Sequence, residues 1–187
     1  LPSIGRISQA ATAEEQRIGA AWLKQYRRQV PTSNDAIITY YLEDLLSTLA
    51  SHSDIYNTSL SLVVAKNSTL NAFAVPGGVI GIHTGLLQHA KTEQQLASVI
   101  SHELAHLSQR HYARGVEKQK GQTLKIMAGL LAGLILAANS DGDAGAAAIS
   151  ATQAYAIDQQ LRFTRSFERE ADRIGMSIMA KAGMSPH

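Results

Sequence analysis

Hydrophobic positions change their period twice along this chain of 187 residues. From about 12 to 29, Ile18, Trp22, Leu23 and Tyr26 share one side of a helix, opened by the capping box Thr12-Ala-Glu-Glu15. Pro31-Thr-Ser-Asn34 breaks it. A second helix follows over about 35–51, with Ile38, Tyr41, Leu42, Leu45, Leu46 and Leu49 inward. The period then shortens. Residues 59–65, 71–75 and 79–83 are β-branched or alternating and predict three strands, the last two joined by a turn at Pro76-Gly77-Gly78. A short helix over 84–89 leads into a longer one. There Thr92-Glu-Gln-Gln95 forms a capping box, and Leu96, Val99, Ile100, Leu104 and Leu107 recur at helical spacing. No Pro or Gly interrupts that run until Gly115. A last helix over 166–182 is closed by Gly183 and Pro186. The pattern predicts an α+β fold in one domain over 1–187, mainly helical, with a small antiparallel sheet beside the helix that starts at 93.

One stretch stands apart. Residues 126–138 carry no charge, but as a helix they reach only about 20 Å, short of the ~30 Å hydrocarbon core. With Gly129 and Gly133 four apart, and a weakly polar segment over 144–157 after the turn-like 139–143, they predict a helical hairpin packing small residues. No transmembrane span is expected, and peripheral membrane contact is the alternative.

Composition narrows the function. A net charge of +2, scattered basic residues and 5% aromatics argue against nucleic-acid binding. The absence of cysteine removes disulfides, thiolate zinc sites and a cysteine nucleophile together.

The candidate chemistry lies in Val99-Ile-Ser-His-Glu-Leu-Ala-His-Leu107. Two imidazoles four residues apart share one helix face and can hold one metal ion, while Glu103 sits where it can act on a water at that ion. His-Glu-x-x-His therefore supplies two zinc ligands and a general base. A catalytic zinc takes a third protein ligand, expected from a separate helix. Within 163–175, Glu168 and Asp172 are four apart and share a face, whereas Glu170 lies about 200° round from Glu168. Glu168 is accordingly assigned to zinc and Asp172 to orienting a ligand histidine. Candidates for a further donor to the reaction's oxyanion are His111, Tyr155 and Arg165. Strand 71–75, with Asn71 and Phe73, or its partner 79–83, is the natural edge for holding an extended peptide.

The motifs His-Glu-Leu-Ala-His at 102–106, Asn-Ala-Phe-Ala-x-Pro-Gly-Gly at 71–78, Ile-Gly-Ile-His-Thr-Gly-Leu-Leu at 80–87 and Phe-x-Arg-x-x-Glu-x-x-Ala-Asp at 163–172 resemble the HtpX-like gluzincin peptidases. They are most similar to the bacterial envelope branch, where a soluble periplasmic peptidase domain precedes tetratricopeptide repeats. The resemblance implies one zinc ion held by His102, His106 and Glu168, with Glu103 as base and Asp172 in support. It implies a zinc endopeptidase of misfolded or misassembled envelope proteins. It also implies a repeat domain in the parent protein, absent here, that meets the outer-membrane assembly machinery. A chaperone-like binding module for outer-membrane protein assembly, with a latent metal site, is the competing expectation.

Overall fold

The computed structural model describes residues 9–55, 59–121, 126 and 143–185. The chain divides into two compact units, residues 1–110 with 170–187, and residues 111–169. The first unit contains α1 (Gln9–Gln29), α2 (Ala36–Ser51), β1 (Ser61–Ala65), β2 (Ala72–Val75), β3 (Val79–His83), α3 (Thr84–His89) and α4 (Glu93–Ser108). In the second, residues 111–121 are helical (α5), and α6 (Asp143–Lys181) starts there and ends in the first unit. The α+β class is as expected.

The core of the first unit forms where apolar helix faces meet one side of the sheet. Asp35 caps α2, its Oδ1 accepting from the Ile37 and Ile38 N–H groups at 2.9 and 3.1 Å. That start turns Leu42, Leu45, Leu46 and Leu49 inward, against Leu96, Ala97, Ile100 and Leu104 of α4 and Val64, Ala72, Ile80 and Ile82 of the sheet. Tyr41 lies at the margin and donates its hydroxyl to Glu93 Oε2 at 3.0 Å. Burial, that hydrogen bond and the Glu93 charge together raise its phenol above the ordinary value.

The sheet is mixed, with strand order β1-β3-β2, where a wholly antiparallel sheet was expected. β2 and β3 form the predicted antiparallel hairpin, with Phe73 opposite Gly81. β1 instead lies parallel to β3, Ser61 opposite Val79. All five β3 residues are buried. A strand apolar on both faces belongs in the middle of a sheet, so β3 fills the space between β1 and β2. The link 66–71 crosses the end of β3, where Asn67 O accepts from Gly85 N–H and Thr84 Oγ1 at 2.8 and 3.0 Å.

The opposite sheet face meets α1. The tip of the Phe73 ring covers Gly81, where a Cβ would fall 2.0–2.5 Å from its atoms. Trp22 and Tyr26 close around it, their ring centres 5.4 and 5.5 Å from that of Phe73. The hairpin turn also presses on α1: a Cβ on Gly19 would lie 2.3 Å from Pro76 O. Gly77 and Gly78 hold φ of 89° and 88°, which a side chain would oppose.

Helix ends depart from expectation in three places. Thr12 stands inside α1, and Glu15 pairs with Arg110 at 2.7 Å, a stronger partner than a backbone cap. α4 ends at Ser108 although no Pro or Gly stands before Gly115, and Arg110 just beyond it takes a φ of 51°. The segments 144–157 and 166–182 belong to one helix of 39 residues, α6. Its C-terminus closes with Gly183 at φ 74° and a Met184 N–H bond to Met179 O of 2.9 Å. The expected hairpin around 126–138 lies, Ile126 apart, outside the described residues. Among the described residues, no helix is long and apolar enough to cross a membrane.

Candidate metal centre

α4 begins as its capping box requires. Thr92 Oγ1 accepts from Gln95 N–H at 3.3 Å, and Gln95 Oε1 accepts from Lys91 N–H at 2.8 Å, one residue before the cap. This start sets the phase of the helix. Ile100, Ser101, Leu104 and Ala105 are buried, while His102, Glu103 and His106 are half-buried on the adjoining face.

The C-terminal part of α6 crosses α4 at His102. A Cβ on Gly175 would lie 3.0 Å from His102 N and 3.2 Å from His102 Cα, so the two backbones approach as closely as glycine allows. One turn before Gly175 on α6, Asp172 Oδ1 lies 2.9 Å from His102 Nδ1. With Nδ1 donating to that carboxylate, His102 presents the Nε2 lone pair outward. His106 Nε2 stands 3.0 Å from it, with the ring centres 4.8 Å apart. Two imidazole nitrogens aimed at one another need a shared proton or a cation.

His102, His106 and Glu168 each offer one ligand atom, and the three atoms lie within 4.8 Å of one another. The donor set fits zinc. Zn–N bonds of about 2.0–2.1 Å in a tetrahedron separate two ligand nitrogens by about 3.3 Å, near the observed 3.0 Å. Two imidazoles and a carboxylate also leave a fourth position for water. Glu168 is exposed and stands one helical turn before Asp172 on the unbroken α6.

The remaining candidates fall elsewhere. His111 opens α5, 5% exposed, with its ring stacked on Phe167 at 4.2 Å and 11°. Arg114 places its guanidinium 4.7 Å from the same Phe167 ring. Arg165 is exposed on α6, and Tyr155 is in that helix with its side chain outside what is described. β1 and β2 are the outer strands and β3 lies between them, which excludes residues 79–83 as an outer edge. Asn71 precedes β2 and accepts from His83 N–H at 3.0 Å through its carbonyl. Phe73 packs against α1, on the sheet face opposite α4. Sequence reasoning missed Gly175. A lone glycine inside a helical pattern was the signal, since such a residue usually marks a close packing contact.

The fold and this centre define a metallopeptidase domain. Residues 38–187 match the model of Peptidase family M48, and the chain belongs to that family. It is 35% identical to the beta-barrel assembly-enhancing protease of Escherichia coli over all of this chain and 38% of that protein. The protein of that name from Yersinia pestis is 34% identical, again over all of this chain and 38% of its own length. Mitochondrial metalloendopeptidase OMA1 of Arabidopsis thaliana is 29% identical over 92% of this chain and 30% of its own length. The chain thus spans well under half of the curated relatives it matches.

Proposed function

We propose that the chain is a zinc endopeptidase acting on misfolded or misassembled proteins of the bacterial cell envelope. The observation that carries this reading is the pair of Nε2 atoms 3.0 Å apart with Asp172 on the far nitrogen of His102. In this reading His102, His106 and Glu168 hold one zinc ion, and Asp172 fixes the tautomer and ring orientation of His102. When bound, zinc polarises the scissile carbonyl and brings the pKa of a water toward neutrality. Glu103, on the same helix face, accepts the proton of the attacking water and returns it to the leaving amine. A second donor to the oxyanion comes from Arg165, His111 or Tyr155; the stack of His111 on Phe167 favours the other two.

Substrate lies along the open side of β2, in backbone hydrogen bonds that do not depend on sequence. That suits a protease of unfolded chains. A link to β-barrel assembly draws on the names of the longer relatives, and the periplasmic envelope setting on the motif resemblance. A tetratricopeptide-repeat region beyond this domain is what the motif resemblance implies.

The test is Glu103→Gln with zinc content measured alongside. Zinc should stay bound while cleavage of an unfolded reporter protein falls by about 10²–10⁴-fold. Persistent cleavage overturns the assigned mechanism. In cells, envelope function that survives loss of cleavage would place binding ahead of hydrolysis. Glu168→Ala should strip zinc, and unchanged occupancy would overturn the third ligand.

A further inference from the structure

Arg110 is, among the described residues, the single residue other than glycine with a positive φ, at 51°. It follows the Gln109 C-cap of α4, the position where glycine usually stands because a Cβ is strained there. A strained arginine where glycine would fit points to a task for its side chain. That side chain reaches α1. Nε and Nη2 donate to Glu15 Oε1 at 3.1 and 2.7 Å, and the two side chains are only 26% and 21% exposed. Water and salt screen such a pair less than one on the open surface.

Glu15 also makes a second contact. Its main chain abuts the β2–β3 turn, where a Cβ on Gly77 would lie 2.4 Å from Glu15 O. The side chain of one residue therefore holds the end of α4, four residues past His106, while its backbone holds the hairpin that carries the edge strand.

We propose that Glu15 and Arg110 are positioning residues, a clamp that fixes the offset between the metal helix and the substrate-bearing hairpin. The inference rests on the endopeptidase reading above. A peptide aligned on β2 meets Glu103 in register only if the hairpin and α4 keep their spacing, and a shift of about 1 Å can cost about 10²-fold in rate. The clamp therefore acts on turnover more than on substrate affinity.

The test compares Glu15→Gln, Arg110→Gly and the double variant of the zinc-loaded chain. Arg110→Gly is the sharpest, since it relieves backbone strain as it removes the clamp. Amide exchange should quicken by roughly fivefold in both the last turn of α4 and the β2–β3 hairpin. kcat should fall by about tenfold with KM within about twofold, and the double variant should match the singles. Exchange that rises in one segment alone, or in neither, overturns the clamp, as does an additive double variant. The exchange measurement needs no catalysis. If Glu103→Gln still cleaves protein, the endopeptidase mechanism falls while the clamp stands or falls on exchange alone.

Discussion

Replacing Gly175 with alanine tests whether the crossing of α4 and α6 sets the quality of the metal centre. The added Cβ would stand 3.0 Å from His102 N and 3.2 Å from His102 Cα and Ser101 C, where ordinary contact is 3.4–4 Å. All three neighbours are backbone, so no flexible side chain can yield. The helices must part by roughly 0.4 Å or more at the crossing, and overpacking of this kind costs about 1–3 kcal/mol. Alanine returns about 1 kcal/mol through helix propensity, leaving a net loss of about 0–2 kcal/mol. For a chain of this length that is a fall in Tm of up to about 8 °C. The effect on the metal should be larger in proportion. Asp172 is one turn away, and its 2.9 Å bond to His102 Nδ1 stretches as the helices part. Loss of such support to a ligand histidine typically weakens metal binding about 10–100-fold. Competition with a chelator gives the zinc Kd, and thermal unfolding of the metal-free chain gives the packing cost. A variant more stable by the full propensity gain, with unchanged zinc affinity, would refute the reasoning.

Three further outcomes are expected. Ser101 is fully buried, and its Oγ lacks a hydrogen-bond partner among the described residues, so Ser101→Ala should stabilise the chain by about 1 kcal/mol in urea unfolding. Gly77→Ala meets both a φ of 89° and the carbonyl oxygen of Glu15 at 2.4 Å, and should destabilise by more than about 2 kcal/mol in the same assay. Burial raises the phenol of Tyr41, as do its hydrogen bond to Glu93 and that residue's charge; an acid with a raised folded pKa contributes stability below its unfolded pKa of 10.0 and loses it as pH climbs. Urea unfolding at pH 8 and near pH 11 should therefore show a decline that Tyr41→Phe reduces, and an undiminished decline would place its cause elsewhere.

What could be read in the sequence was local. The start of α2 at about 35, the cap at Thr92, the turn at Pro76-Gly77-Gly78 and the face shared by Glu168 and Asp172 each depend on residues within about one helical turn or hairpin. What escaped depends on partners far along the chain. β1 joins β3 in parallel because β3 is apolar on both faces, a choice made by the assembled sheet. Phe73 looked available to substrate on an alternating strand, but α1 supplies Trp22 and Tyr26 to cover it. The break after α4 carried no glycine or proline, since Arg110 takes the left-handed conformation and pairs with Glu15, 95 residues earlier. The Thr12–Glu15 capping box satisfied the local rule, but α1 already runs from Gln9 and Glu15 pairs with Arg110.

The strand order also has a kinetic consequence. Val75 and Val79 of the hairpin close a loop of a few residues, whereas Ser61 must wait for Val79, 18 positions on, before it has a neighbour. Loop closure is faster the shorter the loop, so the hairpin should be ordered in the folding transition state before β1 docks along it. Truncating Phe73, under which Gly81 sits, should then slow folding, while truncating Val63 should chiefly speed unfolding. Until the hairpin forms, β1 has no strand to pair with, and during that interval it is a segment open to pairing with a neighbouring chain.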